Sequence, residues 1–188
     1  MYSRRWLLPL LLLLALPLTV WGALPTAAVD PGRDVQAIGR WIRDRQDPAA
    51  PAPQSPFAWP APGHTEITSD YGFRLHPLLK RLRLHAGVDI GAPEGAAAVA
   101  CFDGVVIAAA ELPAYGQVVV LDHGGGLASV YAHLSAIAVE EGDRLQRGDE
   151  VGRIGATGQV TGPHLHFELW QGGEPVDPLR LANLAGLP

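Results

Sequence analysis

Two histidines alternate with apolar residues near the C-terminus, in the segment His164–Trp170. Successive side chains of a β-strand point to opposite faces, so His164, His166 and Glu168 would share one face. Residues two apart on a strand lie about 6–7 Å apart at Cα, which lets both rings reach one small site, one as a metal ligand and one as an acid or base. We interpret Glu168 as a supporting or outward carboxylate rather than a catalytic one.

Two further segments, His85–Asp89 and Tyr131–His133, hold the polar groups that such a site would need. Taken singly, a histidine on a strand is more often a hydrogen-bonded structural residue than a ligand, and Asp89 could merely stabilise a turn. Together with the C-terminal pair they supply the imidazoles and the carboxylate that a catalytic zinc site uses. In an extended strand His85 and Asp89 would lie about 13 Å apart, so we expect the chain to bend, which Gly87 makes plausible, or the side chains to converge.

Short apolar runs separated by glycine-containing turns would have to position these groups. The chain has 22 Gly and 17 Pro among its 188 residues, a composition that disfavours a helical fold. Short strands at this spacing predict an all-β fold, a compact antiparallel β-sheet domain. The predicted strands are 66–69, 97–100, 104–110, 117–122, 128–134, 149–154 and 164–170.

Three segments precede this domain, which we place at residues 57–185. Residues 1–23 have two arginines followed by an apolar run, typical of a signal peptide, and we favour cleavage over an uncleaved membrane anchor. Residues 30–46 have apolar residues at helical spacing and predict a short amphipathic helix, which would pack on the domain, a partner or the membrane surface. Residues 47–62 are proline-rich and predict an extended linker. We therefore expect an exported protein, periplasmic or associated with the cell envelope, which an uncleaved N-terminal segment would hold near the membrane.

The charge of the predicted domain argues against nucleic-acid binding, and the cysteine content excludes an internal disulfide. Residues 57–188 carry eight basic and fifteen acidic groups, a poor composition for a nucleic-acid-binding protein, which needs clustered cations. Cys101 is the single cysteine, so the chain has no internal disulfide. Its neighbours Ala100 and Phe102 indicate a buried thiol.

An ordered set of motifs closely resembles the lysostaphin-type zinc metallopeptidases, also called LytM-domain or M23 peptidases. The resemblance covers about residues 64–180, and the segment Gly-Pro-His-Leu-His-Phe-Glu is its most specific part. It does not extend to the signal segment, the helix or the linker. The motifs lie at residues 69–77, 85–89, 92–95, 103–104, 131–134, 142–143 and 161–168.

The resemblance implies a role for each candidate residue. His85, Asp89 and His166 would bind one zinc ion, and His133 and His164 would be the catalytic pair. Zinc would lower the pKa of a bound water and polarise the scissile carbonyl. One histidine would take the proton of the water and the other would donate to the oxyanion or the leaving amine, and the sequence does not distinguish these two roles.

Other polar residues near the motifs receive lesser roles. We predict that Arg74, His76 and Tyr131 contact the substrate, and that His64 and His123 are surface residues. Lys80 stands where glycine is common in the family. This departure lies on the loop after Arg74, so it affects loop length and substrate preference rather than catalysis.

The implied substrate is bacterial peptidoglycan, cut in its stem or cross-bridge peptides. A D,D-endopeptidase acting on direct cross-links is preferred to a glycyl-glycine endopeptidase acting on bridges. The alternative function is a peptidase-like regulator that binds and activates a cell-wall amidase through the N-terminal helix. Because both catalytic histidines and every implied ligand are present, the enzyme is favoured.

Overall fold

The computed structural model describes residues 30–47, 49–75, 80 and 82–184. The predicted signal peptide at residues 1–23 and the predicted substrate contact His76 lie outside the described residues. Within the part of the chain that the structure describes, neither helix has the length and apolar character that a membrane crossing requires.

The described residues contain twelve strands and two helices, which confirms the antiparallel β-fold preceded by a short helix. All seven predicted strands are present, and five further strands of two to four residues each were not predicted. The elements are α1 (Pro31–Arg45), β1 (Ile67–Ser69), β2 (Gly72–Leu75), β3 (Leu82–His85), β4 (Val88–Gly91), β5 (Ala97–Val99), β6 (Gly104–Leu112), β7 (Gly116–Gly124), β8 (Leu127–Ile137), β9 (Arg144–Leu145), β10 (Glu150–Ile154), β11 (His164–Gln171), β12 (Glu174–Val176) and α2 (Pro178–Leu184).

The main sheet has the strand order β1-β4-β11-β8-β7-β6-β9, and β10 pairs with both β5 and β8. The histidine-bearing strand β11 is therefore an interior strand of the sheet, between β4 and β8. Its alternating side chains divide between two layers of packing. Leu165, Phe167 and Leu169 belong to the larger core, whereas Trp170 belongs to a second core on the other face, which α1 covers.

Helix α1 packs on the sheet through the apolar stripe that its sequence predicts. Asp30 caps its first turn by accepting a hydrogen bond from the Gly32 N–H at 3.0 Å. Ile38 and Ile42 are fully buried against the second core. Gly39 lies so close to Trp170 that a Cβ atom there would be 3.2 Å from the indole ring. The helix thus forms a second layer on the face that also carries His164 and His166.

The proline-rich segment that follows α1 has no helix or strand from residue 49 to residue 66, and it lies along the domain. Its backbone is hydrogen-bonded to the sheet at several points, including Gly125 N–H to Ala50 O at 2.9 Å and Ala58 N–H to Cys101 O at 2.8 Å. Phe57 is 7 % exposed and packs in the larger core. The segment is therefore extended, as its composition predicts, but it is also held against the domain. The domain boundaries stay a prediction.

Candidate metal centre and catalytic cleft

Adjacent strands of the sheet bring the predicted ligands together. His166 on β11 stands directly opposite Asp89 on β4, and the same residue stands opposite Ala132 on β8. Cross-strand neighbours have Cβ atoms about 4.5–5.5 Å apart, so His166 and Asp89 can touch without distortion of the sheet. The Nδ1 atom of His166 lies 2.8 Å from Oδ1 of Asp89.

His85 reaches the same point because the chain bends after β3. Strand β3 ends at His85, β4 begins at Val88, and residue 87 forms a bend between them. A Cβ atom on Gly87 would lie 2.2 Å from the carbonyl oxygen of Phe167, so only glycine allows this close approach of the two backbones. The expected bend is confirmed, and it places His85 Nε2 3.1 Å from Asp89 Oδ1.

Three ligand atoms converge in this way: His85 Nε2, Asp89 Oδ1 and His166 Nδ1. Each lies within 3.1 Å of the other two. They form the one group of three or more metal-binding side chains found among the described residues. We call these three residues the ligand triad.

The second nitrogen of each triad histidine is held by an acceptor. His85 Nδ1 lies 2.7 Å from the carbonyl oxygen of Asp70, and His166 Nε2 lies 2.9 Å from Oε1 of Glu168. A carbonyl or carboxylate oxygen can only accept, so these ring nitrogens carry the hydrogens. The lone pairs of His85 Nε2 and His166 Nδ1 consequently face Asp89, and such a cluster of acceptors is stable only with a proton or a cation between them.

Glu168 is fully buried behind His166 and receives three hydrogen bonds. Besides His166, its donors are the hydroxyl of Tyr115 and the indole N–H of Trp170, the latter at 2.6 Å. Burial alone would raise the pKa of Glu168, but these hydrogen bonds and the neighbouring His166 lower it. Glu168 is thus an ionised carboxylate that fixes the tautomer and the ring orientation of His166, a supporting role that metal-binding histidines commonly need.

The electrostatics of the ligand triad favour positive charge. Burial disfavours the ionised form of Asp89, but its close contacts with His166 and His85, which favour a shared positive charge, keep its pKa below the usual range. Burial likewise disfavours charge on His166, yet its bonds to Asp89 and Glu168 raise its pKa to about 9. Two carboxylates therefore stabilise a positive charge at His166, where a proton and a metal ion would compete.

His133 enters the cleft because of an irregularity in β8. It has φ of 61°, a value that few residues other than glycine adopt, and the pairing of β7 with β8 shifts register between Val119 and Gln117. The bulge turns the side chain of His133 to the same side as His164, and the two ring centroids are 4.8 Å apart. In a regular strand it would have shared a face with Tyr131.

In each of these histidines one nitrogen is anchored by a hydrogen bond and the other has none among the described residues, although Nε2 of His164 lies 3.6 Å from Oδ1 of Asp89. His133 Nδ1 donates to the carbonyl oxygen of Thr157 at 2.9 Å, and His164 Nδ1 donates to that of Gly162 at 2.9 Å. Burial, followed by the nearby His166 and His164, lowers the pKa of His133 to about 3. The Nε2 atom of each ring is left to exchange protons. We call the five residues of the site the cleft cluster: His85, Asp89, His133, His164 and His166.

These side chains lie in a cleft of about 660 Å³. Arg74 lines it and places one guanidinium nitrogen 3.7 Å from Oδ2 of Asp89, so the predicted substrate contact Arg74 lies beside the ligand triad. Hairpin β2–β3, the turn at Ala114 and Tyr115, the segment 158–161 and the start of α1 form the remaining walls.

Tyr131 lies on the opposite face of the sheet, which contradicts the prediction that it contacts substrate. It is 0 % exposed and its hydroxyl accepts from the backbone N–H of Cys101 at 2.9 Å. The prediction was wrong because the bulge at His133 breaks the alternation on which it depended. His123, predicted to be a surface residue, is also buried, whereas the thiol of Cys101 is buried as predicted.

A second group of polar side chains surrounds Tyr131 in the larger core. His123 Nδ1 donates to the carbonyl oxygen of Asp103 at 2.9 Å, and its Nε2 lies 2.7 Å from the Ser129 hydroxyl and 3.6 Å from the sulfur of Cys101. Burial raises the pKa of the Cys101 thiol to about 11. We call these four residues the buried cluster: Cys101, His123, Ser129 and Tyr131.

Sequence reasoning did not identify Tyr115, Trp170 or Asp34 as parts of the site. Tyr115 and Trp170 orient Glu168, and Asp34 on α1 accepts hydrogen bonds from the backbone of Ala114 and Tyr115. The position of Trp170 could have been predicted from strand alternation, since it follows Glu168 by two residues on the same strand face. No local pattern marks Tyr115 or Asp34.

Comparison with known proteins gives the site a family. The chain is 42 % identical over 119 residues to a protein of Neisseria meningitidis serogroup B named DD-carboxypeptidase/endopeptidase Mpg, a match that covers 63 % of this chain and 27 % of the relative. It is 40 % identical over 127 residues to the peptidoglycan DD-endopeptidase ShyA of Vibrio cholerae, covering 67 % of this chain and 29 % of that protein. The chain thus spans less than a third of the length of these curated relatives.

A solved structure of similar fold is described as a zinc-containing peptidase from Vibrio cholerae. It has a TM-score of 0.62 and 36 % sequence identity, and the match covers 65 % of this chain and 39 % of that one. The sequence model of Peptidase family M23 matches residues 83–178, a range that includes every residue of the cleft cluster. The resemblance noted from the motifs is thereby confirmed, and the chain belongs to Peptidase family M23.

Proposed function

We propose that this chain is a zinc-dependent endopeptidase that hydrolyses peptide cross-links of bacterial peptidoglycan. The observation that carries the proposal is the convergence of the three ligand-triad atoms beside His133 and His164, whose Nδ1 atoms are anchored and whose Nε2 atoms are not hydrogen-bonded within the described residues. The names of the relatives, a peptidoglycan DD-endopeptidase and a DD-carboxypeptidase/endopeptidase, support the same substrate class.

The donor set of the ligand triad fits zinc. Two imidazole nitrogens and one carboxylate oxygen are ligands typical of catalytic zinc sites, which keep a further position open. The triad faces a cleft rather than the protein interior, and Glu168 supplies the support that a zinc-bound histidine needs. When bound, zinc supplies Lewis-acid chemistry, which polarises a carbonyl and makes water a better nucleophile at neutral pH.

His133 and His164 would carry the proton transfers. Peptide hydrolysis removes one proton from the attacking water and delivers one to the leaving amine, and positioned acids and bases accelerate such steps by about 100- to 10,000-fold. The backbone carbonyls of Thr157 and Gly162 hold the two Nδ1–H groups, so each Nε2 atom is directed at the cleft in the correct tautomer. Burial lowers the pKa of His133 to about 3, so the ring is neutral at pH 7 and its Nε2 atom carries a lone pair.

Arg74 would hold the substrate rather than react with it. Its guanidinium lines the cleft beside Asp89 and remains 42 % exposed, so it can donate to a carbonyl or carboxylate of a bound peptide. Because peptidoglycan lies outside the cytoplasm, the proposed substrate also requires export, which the predicted signal segment at residues 1–23 would provide. Only if that segment stays uncleaved would it also hold the protein near the membrane.

Digestion of purified peptidoglycan tests this proposal. The zinc-loaded full-length chain should release new amine termini, and a chelator should abolish the release until zinc is restored. The matched control is His164→Ala, which keeps the ligand triad and should bind zinc without cleaving. If the zinc-loaded protein releases no new amines, the enzyme hypothesis fails and the amidase regulator becomes the better account.

A further inference from the structure

Helix α1 lies outside the residues that match the family, yet its first turns line the same cleft as the ligand triad. The family match begins at residue 83, and α1 ends at Arg45. Pro31, Gly32, Val35 and Gln36 form part of the cleft wall. The helix is thus positioned to affect the substrate that reaches the site, in addition to covering the sheet.

One carboxylate ties α1 to the turn between β6 and β7. The Asp34 side chain is 4 % exposed, and its Oδ2 accepts from the backbone N–H groups of Ala114 at 2.6 Å and Tyr115 at 3.2 Å. A carboxylate that accepts from two buried N–H groups is held more firmly than a surface ion pair. The turn also carries the Tyr115 hydroxyl that donates to Glu168, so the helix is connected to the support of the ligand triad.

A second carboxylate ties the start of α1 to the other side of the cleft. Asp30, the residue that caps the helix, forms an ion pair with Arg83 of β3, two residues before His85. A Cβ atom on Gly32 would lie 3.0 Å from Nη1 of Arg83, so helix and hairpin are in close contact here. The first turn of α1 therefore spans the cleft from the β6–β7 turn to hairpin β2–β3.

We propose that α1 is an end wall of the substrate groove and that it selects short, direct cross-links over long bridges. This inference rests on the proposed function and specifies its substrate. An extended peptide advances about 3.3–3.6 Å per residue, so a chain that continues past the metal site needs an open exit. The contacts of Asp30 and Asp34 hold the first turn of α1 across one side of the cleft, where the helix would obstruct that exit. A volume of about 660 Å³ lies in the usual range for a ligand pocket.

Val35 and Gln36 are the residues of the wall that would meet the substrate. Val35 is half-buried in the cleft, and Gln36 is exposed and offers an amide that can bond to the backbone of a peptide. Arg40, also exposed, lies on the same helix but does not line the cleft. Gln36 is therefore the specificity-determining residue of this wall, and Arg40 provides a matched control.

Two purified substrates test the wall: a peptide dimer with a direct cross-link and the same dimer joined through five glycines. For the zinc-loaded full-length chain we expect kcat/KM to favour the direct dimer about tenfold or more. Gln36→Ala and Arg83→Gln should each reduce this preference at least about threefold, whereas Arg40→Ala should leave it unchanged. Calorimetric titration of the chelated proteins with the uncut dimers should show the same order of preference in binding.

The outcomes separate this inference from the proposed function. If the wild-type protein cleaves neither dimer, both are overturned. If it cleaves the direct dimer but shows no preference, or if neither Gln36→Ala nor Arg83→Gln reduces the preference, the wall is refuted and the proposed function stands. Since Gln36 is exposed, its variant should fold even if the change at Arg83 destabilises β3.

Discussion

The cleft cluster and the buried cluster lie on opposite faces of one sheet, and both contain histidines held by hydrogen bonds. They differ in how many nitrogens of each ring are already hydrogen-bonded. In the buried cluster, both nitrogens of His123 have partners, Asp103 O at 2.9 Å and Ser129 Oγ at 2.7 Å, and the residue is 5 % exposed. In the cleft cluster, each histidine has one anchored nitrogen, and the other faces the cleft or a second ligand atom.

This difference shows what makes a group of histidines a site. A buried ring whose nitrogens are both paired contributes to packing and stays neutral, as the lowered pKa of His123, about 4, indicates. A ring with one anchored nitrogen has a fixed tautomer and a lone pair in a known direction. The cleft cluster differs from the buried cluster because such lone pairs converge on an accessible point. The number of histidines is not what distinguishes the two.

The largest effect should come from His166, the residue that joins the ligand triad to Glu168. We expect His166→Ala to lose both zinc and cleavage, by far more than the roughly 10- to 100-fold that loss of a supporting residue costs in metal affinity. Metal content after dialysis and release of amine termini would measure the two losses. His123→Gln, the matching change in the buried cluster, should keep both properties, and loss of zinc from it would break the distinction between the clusters.

His133 should separate proton transfer from metal binding within the cleft cluster. His133→Ala leaves the ligand triad intact, so its zinc content should equal that of the wild-type protein. The rate of cleavage should fall by about 100- to 10,000-fold, the usual contribution of a positioned acid or base. Equal loss of zinc from His133→Ala and His166→Ala would contradict this division of roles.

Variants of Glu168 and Tyr115 test whether the hydrogen bonds behind His166 contribute to zinc affinity. Glu168→Gln replaces the ionised acceptor of His166 Nε2 by an amide, and we expect zinc affinity to fall about 10- to 100-fold. Tyr115→Phe removes one donor to Glu168 and should produce a smaller loss in the same direction. Competition with a zinc-binding dye would measure both affinities. Wild-type affinity in Glu168→Gln would show that its carboxylate serves the fold alone.

The smallest effect concerns stability and arises in the buried cluster. The pKa of His123 is about 4 in the folded protein, because burial disfavours its charge, and about 6.5 in an unfolded chain. Between these values the unfolded chain binds more protons, so stability falls as the pH falls from 6.5 towards 4. At pH 5 His123 should account for a loss of about 2 kcal/mol relative to pH 7.

Urea unfolding at pH 7 and pH 5, with chelator present, would measure this loss. His123→Gln can keep hydrogen bonds in place but cannot titrate, so the acid-induced loss of stability should be smaller in this variant by about the same amount. An identical loss in the two proteins would refute the idea that His123 is held neutral by burial.

The residues of the ligand triad could be picked out from the sequence because their motifs are local and resemble those of a known family. His164 and His166 are two residues apart on β11, and the bend at Gly87 was expected from the spacing of His85 and Asp89. The side of β8 on which His133 lies was not predictable, since it depends on a single residue with positive φ. That residue also explains the error at Tyr131.

The supporting residues could not be predicted from local patterns, for a physical reason. Asp34 is 80 residues from the backbone N–H of Ala114 to which it bonds, and Tyr115 is 53 residues from Glu168. Such contacts depend on how α1 packs over the second core, and the amphipathic pattern of the helix indicates that it packs without indicating where. The packing on Trp170 follows from Gly39, whose small size lets the helix approach.

The position of the metal tests the central claim most directly. A crystal of the zinc-loaded protein, measured at the zinc absorption edge, should show one anomalous peak about 2.0–2.2 Å from His85 Nε2, His166 Nδ1 and a carboxylate oxygen of Asp89. No peak should occur at Cys101 and His123. A peak in the buried cluster, or zinc bound without contact to the ligand triad, would contradict the account.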